Sequence, residues 1–319
     1  MLIDFHCHIS GEGGRLPEPD GQYYRQINPN AAAGQFLGHL AQDAVDTVSE
    51  LWRTPAALKT YRNMGPLIYT EMSRRLINAD SAALLAEMAQ NGIGQSVVVA
   101  IDPFITTDSI LRACQQLSGL LVPFGSIDPS EDEYLANFES LLDRPIKGIK
   151  FHSDLQRMPI GSPKLFNLMK ILANSSRSDL PVYLHTGNFP IYQPSDEHWE
   201  RTLPRLLDQF PGLTFVCGHA GWDAPHAALR AALRFDNVML ETSWQPPQLI
   251  RRLCDKLGAH RLLLGSDYPL YSQKRAVRNL RTALNPDEFE MVGGQNAQKL
   301  LNLDGTSVPN PVANKMDAP

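Results

Sequence analysis

Cysteine is scarce in this chain: four among 319 residues, none in Cys-x-x-Cys spacing. That argues against a disulfide framework and against a thiolate zinc knuckle. Cys7, Cys114, Cys217 and Cys254 read instead as small buried apolar residues. Cys7 falls between two histidines and is expected to face away from them, toward surrounding helices. An excess of positive charge is also missing. Lysine and arginine total 29 against 34 acidic residues, a net charge of −5. No basic stripe stands out, which argues against a nucleic-acid partner. No apolar run is long enough to span a bilayer, so no membrane role is expected. The first chemistry-bearing residue is already at position 6, which leaves no room for a secretory leader and sets a cytoplasmic expectation. Internal repeats and low-complexity tracts are absent. So is a Gly-rich phosphate loop after an early strand, the mark of a doubly wound open sheet.

Hydrophobic residues at 43% and charged residues at 20% supply a full core. Eight short β-branched runs recur: Leu2–His8, Gln95–Ile101, Leu120–Ile127, Ile146–His152, Pro181–His185, Leu213–Cys217, Asn237–Glu241 and Arg261–Gly265. Several are nearly continuous in apolar residues, as strands covered on both faces are. Helical patterns fill the gaps, among them Ser81–Asn91, Thr107–Ser118, Pro163–Ser175, Trp199–Phe210 and Gln273–Leu284. Eight β-α alternations predict an α/β chain folded as a (β/α)₈ TIM barrel over residues 1–302. About seventy residues, 11–79, interrupt the first β-α unit. Ala31–Trp52 carries apolar residues at helical spacing, so a helical insertion over the barrel mouth is expected, as a lid or as a surface on which two chains could pair. A helical decoration on the barrel's side is the other reading of it. Residues 303–319, rich in Pro, Asn and Ser, are expected to form a flexible tail.

The polar residues fall at the ends of these strands. His6-x-His8 closes the first, and side chains two apart on a strand share a face. Lys150 and His152 end the fourth, His185 the fifth, and His219 follows the sixth. Asp267 follows the eighth. In a barrel these ends converge on one mouth. Imidazole and carboxylate are ligands for zinc and related ions. A lone His-x-His pair says little; its company at the later strand ends is what points to a metal. Asn188, Trp222, Trp244 and Tyr268 follow the same strands as candidate pocket-lining residues, with packing an equal reading for each. Tyr23, Tyr24 and Arg25 in the insertion could reach over the mouth. Glu241, ending the seventh strand, either orients a ligand by a hydrogen bond from behind or is structural.

His6-x-His8, His185, Gly218-His219-Ala220-Gly221 and Gly265-Ser266-Asp267-Tyr268-Pro269 together resemble the amidohydrolase superfamily. The resemblance is to its amidohydrolase-related branch, which holds aminocarboxymuconate-semialdehyde decarboxylase-like enzymes. It implies that His6, His8, His185 and Asp267 bind a divalent cation, zinc being expected. It implies Asp267 and His219 as catalytic groups, with Asp267 moving a proton and His219 bonding water or a developing oxyanion. Lys150 carries two readings. In one it becomes a carbamate bridging two metals. In the other, the one taken here, a single ion is bound and Lys150 and His152 hold substrate, because a cationic amine beside a dication needs an anion between them. The expected activity is hydrolysis of an ester, lactone or amide of a small anionic molecule by water activated on the ion. Non-oxidative decarboxylation of a small aromatic or muconate-type acid is the alternative. A non-catalytic binding protein on a decayed barrel is the reading from outside enzymes, and it expects gaps in the ligand set.

Overall fold

The computed structural model describes residues 1–10, 72, 74–76, 78–187 and 199–303. Asn188, Tyr23, Tyr24, Arg25, nearly all of the predicted insertion and the tail beyond Leu303 lie outside the described residues. Eight strands form one parallel sheet in sequence order. They are β1 (Leu2–Cys7), β2 (Ile93–Val99), β3 (Leu121–Gly125), β4 (Gly148–Phe151), β5 (Val182–Leu184), β6 (Phe215–Cys217), β7 (Val238–Glu241) and β8 (Leu262–Leu263). Parallel neighbours need a crossover, and helices supply it: α1 (Ser81–Asn91), α2 (Thr107–Gln116), α3 (Tyr134–Leu142), α4 (Pro163–Ala173), α5 (Trp199–Gln209), α6 (Pro225–Arg234) and α7 (Pro247–Leu257). After β8 come α8 (Gln273–Ala283) and α9 (Pro286–Glu290), a π turn over Met291–Gln295, and α10 (Asn296–Leu300). This is the expected (β/α)₈ barrel. Its helix starts follow local chemistry. Asp80 caps α1 by accepting from the Ala83 N–H, and Asn285 with Glu288 forms a reciprocal capping box before Pro286. No described helix is long and apolar enough to cross a membrane.

The core has two layers. Ile3, Phe5, Val97, Val99, Phe124, Tyr183, Val216 and Leu263 fill the barrel interior, while the larger cluster lies between strands and helices. Strand β1 does not keep a strict two-residue alternation. Phe5 packs inside the barrel on Phe124 and Tyr183, yet the next residue, His6, also meets the Tyr183 ring, at 4.7 Å between centroids. A register irregularity between Asp4 and Cys7 makes this possible. Such a bulge re-aims the side chains that follow it. It swings His6 inward and turns Cys7 outward into the outer layer, where Cys7 was expected.

The sheet closes where β1 meets the end of β8. Phe5 N–H donates to Leu264 O, Asp267 N–H to His6 O and His8 N–H to Tyr268 O, at 2.8, 2.8 and 2.6 Å. Asp4, fully buried on the outward side, binds the same seam. Its carboxylate accepts from the backbone N–H groups of His6 (3.2 Å) and Ser266 (2.9 Å), and from Cys7 Sγ, Ser266 Oγ and Gln273 Nε2. Removing it would strand several buried donors, each worth about 1–3 kcal/mol when left unpaired. Asp4→Ala is therefore expected to lower the unfolding free energy by about 3 kcal/mol or more in a urea titration. A midpoint matching the parent protein would show that the seam does not depend on this carboxylate.

Candidate metal centre at the barrel mouth

Three strand ends deliver four imidazoles to one buried volume. His6, His8, His185 and His219 are each at most 6% exposed, and Asp267 is equally enclosed. His6 and His8 come from β1 and the residue after it, His185 follows β5 directly, and His219 lies in a 3₁₀ turn, Gly218–Gly221. Asp267 stands four residues past β8. Its φ is 63°, and His219 has φ 55°. Left-handed backbone is costly for these residues and is found where geometry serves a site. It brings ligand atoms of His6, His219 and Asp267 within 4.8 Å of one another. Nε2 of His6 and Nε2 of His8 lie 3.4 and 3.0 Å from Asp267 Oδ1. His185 joins through His219, Nδ1 to Nε2 at 3.1 Å.

Burial is the main reason the imidazoles of His6, His152, His185 and His219 sit well below their ordinary pKa. Lys150 and neighbouring imidazoles push the same way, while Asp267 opposes them at His6. The rings are therefore neutral at physiological pH, the form that coordinates metal. Nε2 of His6, Nε2 of His185 and Nδ1 of His8 are buried without a hydrogen-bond partner among the described residues. Unpaired buried nitrogens are costly in a finished protein. Neutral imidazoles with bare nitrogens beside a carboxylate fit a divalent cation, and the 3.4 Å between His6 Nε2 and Asp267 Oδ1 suits two donors about 2 Å from a common centre.

Lys150 is 1% exposed and points into the barrel, its Nζ 3.7 Å above the Tyr183 ring. Burial pushes its amine down to about 7, against the pull of Asp267 and Glu241. His152 stacks on His185 with ring centres 3.8 Å apart and planes 10° from parallel, and its Nδ1 accepts the Leu155 N–H. Lys150 on β4 and His152 directly after it thus flank the histidine group, as their two-residue spacing predicts.

Trp244 is buried beside Asp267. It is 3% exposed, packs on the Tyr271 ring at a tilt of 37° and donates its Nε1–H to Asp267 Oδ2 at 2.8 Å. Of the two readings given for it, packing describes Trp244 here, with its indole N–H bracing the Asp267 carboxylate. Trp222 is 9% exposed with φ 35°. Tyr268 is half-buried against the outer core layer.

Two residues that sequence reasoning passed over stand behind the histidines. Tyr183 lies two residues before His185 on β5, so strand alternation already placed it on the same face. Ser243 follows β7 and had no such signal. Both bond to Glu241, which is fully buried. Burial raises the Glu241 carboxyl pKa, and the donors around it work against that rise. Glycines leave it room. A Cβ on Gly265 would collide with Glu241 Oε1, and one on Gly218 would come within 2.6 Å of the Tyr183 hydroxyl.

The fold has solved counterparts. An uncharacterized TIM-barrel protein of Bordetella bronchiseptica superposes with a TM-score of 0.67 at 19% identity, over 94% of this chain and 98% of that one. A 5-carboxyvanillate decarboxylase of Novosphingobium aromaticivorans, complexed with manganese and 4-hydroxy-3-methoxy-5-nitrobenzoic acid, gives 0.61 at 16% identity over 95% and 96%. A 2,6-dihydroxybenzoate decarboxylase from Rhizobium gives 0.57 at 18% over 74% and 92%. At such identities the likeness establishes the fold. No curated protein matches the sequence. The Amidohydrolase family model matches residues 71–303, most of the barrel, and on that match this chain belongs to the amidohydrolase family.

Proposed function

We propose that this protein is a metal-dependent, non-oxidative decarboxylase of a small aromatic or muconate-type acid. The observation that carries the reading is Lys150, a buried amine facing the same volume as the candidate metal ligands. A cation beside a dication is unfavourable unless an anion lies between them. A substrate carboxylate supplies that anion. The fold likeness to decarboxylases of aromatic acids supports the same choice. His6, His8, His185 and Asp267 would hold the ion. When bound, a divalent ion polarises an oxygen of the substrate and withdraws electron density from the bond to be broken. Zinc remains the expectation from the ligand types; manganese accompanies the Novosphingobium enzyme.

The chain's own residues divide the remaining work. Lys150 Nζ pairs with the carboxylate and keeps it out of water. Loss of CO₂ leaves an electron pair on the carbon, and a proton must replace the carboxyl group. An amine held near pKa 7 is matched to give one at neutral pH. Hydrolysis would instead ask Asp267 to take a proton from water; its Oδ2 accepts the Trp244 Nε1–H and its Oδ1 lies 3.0 Å from His8 Nε2. The preference for decarboxylation rests on Lys150 and on the fold likeness.

The test is a pair of substrate panels on protein loaded with manganese or zinc. CO₂ release from hydroxybenzoic and muconate-type acids, with esters and lactones untouched, is the expected result. Cleavage of esters or lactones with no CO₂ from any acid would overturn the proposal in favour of a hydrolase. Small-molecule substrates are the partners this mouth suits.

A further inference from the structure

Two hydrogen-bond chains leave Glu241 and end on His6 and His185. In the first, the Tyr183 hydroxyl donates to Glu241 Oε2 at 2.6 Å. The same hydroxyl lies 2.8 Å from His6 Nδ1. A phenol has one proton. Given to the carboxylate, it leaves only an acceptor toward His6, so Nδ1 must carry the hydrogen. In the second, Ser243 Oγ donates to Glu241 Oε2 at 2.9 Å and lies 2.7 Å from His219 Nδ1. The hydroxyl is again spent, so His219 Nδ1 donates to it. His219 Nε2 is then a bare acceptor, 3.1 Å from His185 Nδ1, which must hold the hydrogen between them. Each chain ends on the other nitrogen of the terminal ring. Those are His6 Nε2 and His185 Nε2, both buried and both without a hydrogen-bond partner among the described residues.

We infer that Glu241 is a positioning residue that fixes the tautomers of His6 and His185 through Tyr183 and through Ser243–His219, so that both present a bare Nε2 to one divalent ion. The inference rests on the proposed metal-binding role of these two histidines. It also separates His185 from His219. Both nitrogens of His219 are occupied within the chain, so His219 is not free to serve as a ligand despite its closeness to His6 and Asp267. Glu241 can anchor both arms because the groups bonded to it are donors. Backbone N–H groups of His219 (3.0 Å) and Ser243 donate to it together with the two hydroxyls. Oriented carboxylates behind ligating imidazoles raise metal affinity in this way. Gly265 and Gly218 keep the space in which the carboxylate and the phenol sit.

The tautomers can be read in metal-free protein, whatever reaction the enzyme performs. Long-range proton–nitrogen spectra of histidine-labelled protein, with signals assigned through His6→Gln and His185→Gln, distinguish a ring protonated at Nδ1 from one protonated at Nε2. The expected result is Nδ1–H for His6, His185 and His219. An Nε2–H form at His6 or His185 would overturn the inference while leaving the decarboxylase reading intact. The arms are then cut one at a time. Tyr183→Phe is expected to disturb the His6 tautomer alone and Ser243→Ala the His219–His185 pair alone. Each should weaken binding of manganese, titrated by itself in a calorimeter, by about 10–100-fold. Ser243→Thr, which keeps the hydroxyl, should retain the parent's spectra and affinity. Folded variants with unchanged tautomers and unchanged manganese affinity would overturn the inference.

Discussion

An Asp267→Asn protein is expected to fold like the parent, to bind manganese or zinc poorly and to turn over substrate about 100–10,000-fold more slowly. The substitution is nearly isosteric. Its amide oxygen can still accept the Trp244 Nε1–H that now reaches Oδ2 at 2.8 Å. The backbone bond from the residue 267 N–H to His6 O is untouched, so the β1–β8 seam stays closed. The other side of the group changes character. Oδ1 now faces Nε2 of His6 at 3.4 Å and Nε2 of His8 at 3.0 Å. In the variant an NH₂ group points there and donates to the bare His6 nitrogen in place of a cation. A carboxylate that helps hold a dication becomes a neutral competitor for its ligand. Metal content by elemental analysis, circular dichroism and kcat on the acid that releases CO₂ together decide the matter. A folded variant with full metal and parental turnover would remove Asp267 from the centre.

The barrel and its mouth were legible in the sequence because their signals are local or periodic. Apolar runs mark strands buried on both faces, and α1 begins and ends at the residues its pattern indicates, Ser81 and Asn91. Strand ends in such a barrel point to one face, so His6, His8, Lys150, His152, His185 and Asp267 could be gathered without coordinates. Three features escaped. The bulge after Asp4 depends on how β1 pairs with β2, and no pattern within β1 records it. The hydrogen bond from Trp244 to Asp267 was not readable because it joins residues 23 apart through left-handed backbone at both, with φ 62° and 63°. Ser243 looked like any loop serine, since its role depends on Glu241 and His219 meeting across two strands. Alternation is readable from one chain; hydrogen bonds between elements are not.

Lys150→Met is expected to make the metal-free protein more stable at pH 7, by about 2–4 kcal/mol, and to abolish decarboxylation. The lysine is 1% exposed, and burial moves its amine from 10.5 down to about 7. A drop of that size corresponds to roughly 5 kcal/mol at ~1.4 kcal/mol per pKa unit, as an upper bound. The sign follows from proton counts. Between pH 7 and 10.5 the unfolded chain holds a proton on this amine that the folded protein has released, so stability rises with pH across that window. The penalty is full below pH 7 and gone above 10.5. Methionine has similar length, packs on the Tyr183 ring and carries no charge to bury. The gain from Lys150→Met should therefore be large at pH 7 and shrink toward pH 10, where the parent amine no longer differs between states. Urea unfolding of both proteins at the two pH values measures it. Equal gains at pH 7 and 10 would show that charge burial is not what the lysine costs. Coupled to the loss of CO₂ release, a stability gain would mean that the fold tolerates a buried amine for the sake of the anion it receives.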